Sequence, residues 1–292
     1  MSSANPDHLD SPSHPASMQV VVDIGAASHA GRVRPNNEDS YLVLSANRSL
    51  ETLRTNLPAG RIPMWSAERA YGFAVADGVG GQQAGEVASQ LALKTVVEHI
   101  LTTADWVLRD PAAHSERIEE RMVERFAWAN AAVQRQASLH PQLSGMGTTL
   151  TVAASLGSRL FVGHVGDSRA YLLRAGRLQV LTRDHSLVQL LRDTGVITPD
   201  EAASHHMRNV LLRCLGGSEA VADVQQLMLQ TGDQLMLCTD GLYEMIPEPA
   251  LGEILQSAPT SQAACDQLVA SALDAGGTDN VTLTLARYGW KT

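Results

Sequence analysis

The sequence predicts an α+β fold in which antiparallel sheets are layered and covered by helices. Candidate strands come in batches and candidate helices come in batches, not as alternating βαβ units. Compact turn sequences such as "RAGR" join neighbouring strands, as antiparallel pairing requires. No internal repeat of fixed period is present.

Residues 1–17, "MSSANPDHLDSPSHPAS", are rich in Ser, Pro, His and Asp and are expected to form a disordered tail. A folded domain is expected over 18–290. It opens with "MQVVVDIGAAS", a β-branched apolar strand, and "SYLVLSA" is the second. Residues 45–70, which include "NRSLETLRTNLPAGRIPMWSAER", lack clean periodicity and are expected to be a loop insertion. "YGFAVAD" is the third strand. Two helices follow. "EVASQLALKTVVEHILTTA" sets Val87, Leu91, Val96, Val97 and Ile100 at helical spacing. "SERIEERMVERFAWANAAVQRQASL" does the same with Ile118, Met122, Phe126 and Val133. Strands return in "GTTLTVAASL", "RLFVGHVG", "SRAYLLR" and "RLQVLT". Residues 186–215 read as short helices and loops. "DVQQLMLQ" and "QLMLCTD" are strands, two helical segments come next, and "NVTLTLARY" closes the domain.

The 292 residues suffice for one large domain or two small ones, and a hydrophobic fraction of 44% provides a sizeable core. Formal net charge is -9, which argues against nucleic acid or an anionic membrane as the main partner. The three cysteines, Cys214, Cys238 and Cys265, form no CxxC pair. Neither a zinc site nor a disulfide framework is indicated, and small buried hydrophobes are expected. No apolar run is long enough to span a bilayer. The first residues lack the basic start and apolar middle of a signal peptide, so a cytoplasmic location is expected.

The stretch "YGFAVADGVGGQQAGE" places Asp77-Gly78 at a strand end, followed by Gly80, Gly81 and Gly85. As a Rossmann fingerprint it fails, because the third glycine would fall at Gln83. As a phosphate-binding P-loop it fails too. Gly80 to Gly85 has the spacing, but Glu86 stands where lysine must neutralise phosphate, and Val87 where a hydroxyl must meet the metal.

An isolated Asp-Gly after a strand is an ordinary turn. Here the device recurs. Asp240-Gly241 ends the strand in "LMLCTDGLYE", and Gly166-Asp167 breaks "FVGHVGDSRAYLL". Asp279-Asn280 precedes "VTLTL", and Glu38-Asp39 precedes "SYLVL". Strand ends on one edge of a sheet pair can converge. Converging carboxylates repel one another and are driven toward protonation. Hard divalent cations reverse that cost, and oxygen-only donors suit Mg²⁺ or Mn²⁺. The set includes neither cysteine nor histidine, which disfavours zinc, and no EF-hand loop is present. Two such ions about 4 Å apart can acidify a water and deliver it in line at phosphorus.

The ordered set "RPNNED", "VADGVGGQQAGEVAS", "GMGTTL", "VGDSRAYLL", "LTRDHS", "RNVLLRCLGG", "CTDGL" and "GGTDNVT" resembles the bacterial branch of the metal-dependent type 2C Ser/Thr protein phosphatases, from about Val21 to Tyr288. The resemblance implies a four-layer αββα sandwich, with two antiparallel sheets flanked by helices. It implies that Asp77 bridges two core ions and that the Gly78 carbonyl binds one of them. Asp240 and Asp279 would ligate the other ion, and Glu38 would act at the second metal. Asp39 would hold water from the outer shell, and Asp167 would hold a third ion. Asn280 would support the site by hydrogen bonding. Arg34 would grip the substrate phosphate, a task its planar fork suits. Residues 186–215 would be a flap beside the site. Its tip, "SHHMRN", offers Arg208 for substrate contact, the Asn209 backbone for the third ion, and His205 and His206 as exposed residues. His185 would position the flap base. Val79 stands where eukaryotic relatives place a histidine proposed as general acid, and valine donates no proton.

The implied activity is hydrolysis of phosphoserine and phosphothreonine at a binuclear Mn²⁺ or Mg²⁺ centre. The implied partners are phosphorylated proteins, namely a bacterial Ser/Thr kinase and its substrates, and a monomer is expected. A non-catalytic relative with the same fold would usually lack a ligand, and none is lost here. A two-metal nuclease is opposed by the acidic charge and the absence of a basic patch.

Overall fold

The computed structural model describes residues 19–58, 60–80, 84–102, 115–203 and 205–291. The tail expected over 1–17 lies outside them. Alternation along the strands decides the layering. In β3 (Trp65–Ala76), Tyr71, Phe73 and Val75 face one way and Ala74 and Ala76 the other. The first set meets Leu235 and Leu237 of β11 (Gln234–Cys238) and Ala286 and Tyr288 of β12 (Val281–Lys291). That is the cluster between the two sheets. Ala74 and Ala76 join a second cluster with α1 (Ala84–Thr102) and α2 (Ser115–Leu139).

One sheet has the order β1-β12-β11-β8-β9, with β1 (Gln19–His29), β8 (Arg169–Arg174) and β9 (Arg177–Val180). The other has the order β10-β7-β6-β3-β2, with β2 (Ser40–Glu51), β6 (Leu150–Leu156), β7 (Arg159–Val165) and β10 (Asp223–Met228). Every pairing is antiparallel. The outer face of the first sheet packs on α6 (Glu248–Ser257) and α7 (Ser261–Asp274) through Met236, Leu283 and Leu285 against Leu251, Leu255 and Leu268. The expected αββα sandwich is therefore the observed one.

Phe73, Phe126 and Phe161 are all at most 2% exposed. Each such burial contributes roughly 1.5–3 kcal/mol. On α1 the closest contacts come from Ala88, Ala92, Leu93 and Val96, while Val87 and Leu91 are half-buried at one end. Cys238 and Cys265 lie in the apolar cluster under α6 and α7, as small buried hydrophobes should, whereas Cys214 is only half-buried.

The loop insertion expected over 45–70 is largely a hairpin. Residues 45–51 and 65–70 continue β2 and β3 and pair with each other, from Ser45↔Tyr71 out to Glu51↔Trp65. β6 pairs with β3 only over Ala70–Val75, so among the described residues the outer ribbon has no further strand beside it. A ribbon wetted on both faces needs no alternation of apolar and polar residues, and so leaves no strand signal. The run "GTTLTVAASL" divides at Thr149. Its first part is β5 (Gly147–Thr148), which pairs with β4 (Gly78–Val79). Between β9 and β10, residues 186–215 carry α3 (Leu187–Asp193) and α4 (Pro199–Ala203).

α7 is tied to β1 at its first turn. Ser261 N–H donates to Asp23 Oδ2 at 2.7 Å, and Ser261 Oγ donates to the Asp23 carbonyl at 2.9 Å. Gly25 lies under this contact, and a Cβ there would overlap the Ser261 backbone. Gly25→Ala is expected to cost about 1–3 kcal/mol by overpacking, read as a lowered urea midpoint with an unchanged slope. An unchanged midpoint would mean that α7 can move off β1 freely.

Candidate active site

Antiparallel pairing brings the carboxylates to one end of the sandwich. The end of β3 lies beside the start of β2 (Ser40↔Ala76), so Asp77 meets Glu38 and Asp39. The end of β11 lies beside the start of β12 (Cys238↔Leu283), so Asp240 meets Asp279 and Asn280. Asp240 opens α5 (Asp240–Tyr243), a single turn. The β7-to-β8 break contributes Asp167. Together they border a cleft of about 480 Å³, lined by Arg34, Glu38, Asp77, Gly78, Asp167, Asp240, Asp279 and Asn280. Asp39 lies beneath this cleft rather than in its lining.

Backbone and hydroxyl contacts hold the acids in place. Asp77 N–H donates to Thr149 Oγ1 at 2.9 Å, and Thr149 N–H returns to the Asp77 carbonyl at 2.8 Å. Thr148 Oγ1 donates to the same carbonyl at 2.8 Å. Thr149 Oγ1 also meets Ser168 Oγ at 2.7 Å, which links the Asp77 turn to the Asp167 turn through buried hydroxyls. A Cβ on Gly78 would collide with the Gly85 carbonyl and crowd the Glu38 carbonyl. Only glycine lets these three segments meet at backbone distance. Asn280 then fixes the 30–38 loop. Its Oδ1 accepts from Glu38 N–H at 2.8 Å, and its Nδ2 donates to the carbonyls of Ala30 at 2.9 Å and Asn36 at 2.8 Å.

The electrostatic cost is visible in the proton affinities. Burial pushes Asp77 well up, and Asp39, Asp240, Asp167 and Asp279 push it further. Burial, then the charges of Asp279 and Glu244, raises Asp240 to about 7. Asp39 rises to about 7 by burial, opposed by the Thr239 hydroxyl, which donates to Oδ2 at 2.8 Å. Asp167 is raised by burial and by Asp240. Arg34 is the counter-charge in the lining, donating from Nη2 to Asp279 Oδ2 at 2.7 Å. That contact engages the guanidinium through Nη2.

These residues fit a divalent cation of the hard, oxygen-liking kind. The donors are carboxylates and a carbonyl. Asp39 Oδ1 is buried with no hydrogen-bond partner, an acceptor in want of a donor or cation. Among the described residues no three His, Cys, Asp or Glu side chains form a ready-closed ligand set. Mg²⁺-like ions keep several waters and need fewer side chains than that.

Arg208 departs from its expected place. It lines a neighbouring cleft and pairs with Glu244, Nε to Oε1 at 3.7 Å, because the flap turn directs it toward α5. Asn209 and Leu211 are the flap residues that reach the main cleft. His205 and His206 stack on each other with centroids 4.7 Å apart. Val79, in the lining and 44% exposed, offers no proton.

Sequence reasoning missed a clamp around Asp167. Arg169 binds both oxygens of Asp184, through Nε at 2.9 Å and Nη2 at 2.7 Å, and stacks over the Tyr243 ring at 3.8 Å. Tyr243 Oη donates to the Asp167 carbonyl at 3.1 Å. The motifs "VGDSRAYLL" and "LTRDHS" contain the pair, but nothing in either names its partner.

Comparison with known proteins follows the same lines. Serine/threonine protein phosphatase PstP of Mycobacterium tuberculosis is 36% identical over 271 residues, 93% of this chain and 46% of the relative. The chain thus spans about half the length of that relative. Serine/threonine phosphatase stp of Listeria monocytogenes is 39% identical over 212 residues, 72% of this chain and 82% of the relative. The crystal structure of the catalytic domain of serine/threonine protein phosphatase PstP in complex with 2 manganese ions matches with a TM-score of 0.73 at 34% identity, covering 93% of this chain and 100% of that one. The family model for protein phosphatase 2C matches residues 61–276. The chain belongs to the protein phosphatase 2C family.

Proposed function

We propose that this protein hydrolyses phosphoserine and phosphothreonine in proteins, using a binuclear Mn²⁺ or Mg²⁺ centre. The supporting observation is one cleft that gathers Glu38, Asp77, Asp167, Asp240 and Asp279 around an arginine. Asp77, the Gly78 carbonyl, Glu38, Asp240 and Asp279 would hold the two ions between them. Asp167 would hold a third, and the unpaired Oδ1 of Asp39 would support the centre from below. Bound there, the ions supply Lewis acidity and a water acidic enough to attack phosphorus near neutral pH. Arg34 receives the phosphate at the cleft mouth, and Asp279 keeps its guanidinium aimed. Direct attack by water needs no covalent enzyme intermediate, so no cysteine or serine nucleophile is required. The substrates are phosphoproteins of a bacterial Ser/Thr kinase, and the enzyme works in the cytoplasm. The unpaired cysteines support a reducing compartment. No described helix is long and apolar enough to cross a membrane.

Mn²⁺ should support hydrolysis of p-nitrophenyl phosphate and of a phosphothreonine peptide, and EDTA should abolish both. Silence with Mn²⁺ shown to be bound would end the catalytic reading. Asp240→Asn should lower turnover by more than about a hundredfold, since loss of outer-shell partners alone costs about 10–100-fold. The same substitution relieves like-charge repulsion, so the metal-free variant should melt above the metal-free wild type.

Asp39 and Asp240 have folded pKa values of about 7, above the ordinary 3.8. Their contribution to stability is complete below the ordinary value and is lost as pH rises through about 7. Cation binding restores it and releases protons. The gain in melting temperature on adding Mn²⁺ should therefore be larger at about pH 8 than at about pH 6. Equal gains would contradict the charge account. Arg34→Ala should raise KM for phosphate esters about tenfold or more, the worth of a charged hydrogen bond. A lowered kcat at unchanged KM would assign Arg34 to the transition state instead.

A further inference from the structure

The Asp167 turn is held from a second side by a residue that does not itself line the cation cleft. Gly166, directly before Asp167, has φ +113, and a Cβ there would press on the Thr149 side chain. Its peptide groups both bond to His185. Gly166 N–H donates to His185 Nδ1 at 3.2 Å, and His185 N–H donates to the Gly166 carbonyl at 2.6 Å. A ring nitrogen that accepts carries no proton, so the His185 proton sits on Nε2. Nε2 faces Asp223 Oδ2 at 3.1 Å, and Arg213 Nη1 holds the other oxygen of Asp223 at 3.2 Å. Asp223 thus sets the tautomer that lets Nδ1 receive the Gly166 N–H.

His185 also anchors the flap. Its carbonyl accepts from Leu212 N–H at 2.7 Å, and the next residue, Ser186, bridges to Leu211. Leu211 lines the active cleft. One buried residue therefore joins the Asp167 turn, the returning flap segment and the start of β10. The carboxylate–histidine pair has the chemistry by which proteins orient a ligand from outside the metal's own shell. Here the oriented element is a backbone turn.

We propose that His185, oriented by Asp223, is a positioning residue that fixes the Gly166–Asp167 turn and so sets how tightly Asp167 holds its divalent ion. This rests on the reading of Asp167 as a cation ligand. His185→Asn keeps an acceptor oxygen near the position of Nδ1 and loses the reach to Asp223. His185→Gln keeps a donor near Nε2 and loses the acceptor for Gly166 N–H.

The test is Mn²⁺ binding to the substrate-free protein, read by the electron paramagnetic resonance signal of free Mn²⁺. Asp167→Asn first identifies the class of binding that Asp167 supplies. In that class His185→Gln should weaken affinity about tenfold or more, while His185→Asn should stay within about threefold, less than one net hydrogen bond. Asp223→Ala, at a side chain 56% exposed, is a substitution the fold tolerates and should weaken the same class to a smaller degree. The classes that do not depend on Asp167 should be unmoved in all of them. An Asp167-dependent class unmoved in His185→Gln and Asp223→Ala, or equally weakened by Asn and Gln, would overturn the proposal. An isotherm unmoved by Asp167→Asn would remove the cation reading of Asp167, and this proposal with it. Hydrolysis by the wild type is read separately, so failure of the inference leaves the phosphatase reading standing.

Discussion

Carboxylates repel one another, and this protein holds several in one cleft. That repulsion is the constraint on which the rest of the site depends. A flexible frame would relax it by turning the side chains out to water. Here the frame resists, because each acid sits on a turn whose backbone is hydrogen-bonded into the sandwich. Thr148 and Thr149 clasp Asp77, Asn280 clasps the Glu38 loop, and Tyr243 clasps the Asp167 carbonyl. The cost appears as raised proton affinity, and a divalent cation is the natural relief.

The sandwich makes that frame possible. Antiparallel strands alternate ends, so every second connection of each sheet falls on the same edge. Two sheets stacked face to face bring two such edges together. The inter-sheet core at Phe73, Leu235, Leu237 and Tyr288 fixes their separation, and the helices on either side keep both sheets from splaying. Near the cleft the inter-sheet layer changes from apolar to hydroxylic, with Thr149, Thr151, Ser168, Thr239 and Thr282 all fully buried. These hydroxyls satisfy the strand-end turns while packing as tightly as small apolar side chains.

Much of this was legible in the sequence. Strand-end Asp-Gly pairs follow apolar runs whose period is short and local, and the acids at Glu38, Asp77, Asp167, Asp240 and Asp279 line one cleft. Three things were not legible, for different physical reasons. The outer hairpin of β2 and β3 is wet on both faces, so it carries no alternation. Arg208 sits in a turn, where side-chain direction depends on how the flap docks and not on its neighbours in sequence. The pairs Arg169 with Asp184, Thr149 with Ser168, and His185 with Asp223 join separate elements, and no motif that holds one member names its partner. Sequence shows the groups that do chemistry more readily than the groups that hold them still.

The central claim is that one carboxylate, Asp77, is shared between two cations at the meeting point of the two sheets. Anomalous X-ray scattering at the manganese edge from crystals grown with Mn²⁺ tests it directly. The account predicts two neighbouring peaks in the cleft, both within bonding distance of Asp77, with Asp240 and Asp279 on one and the Gly78 carbonyl on the other. A single peak away from Asp77, or peaks confined to surface carboxylates, would contradict it.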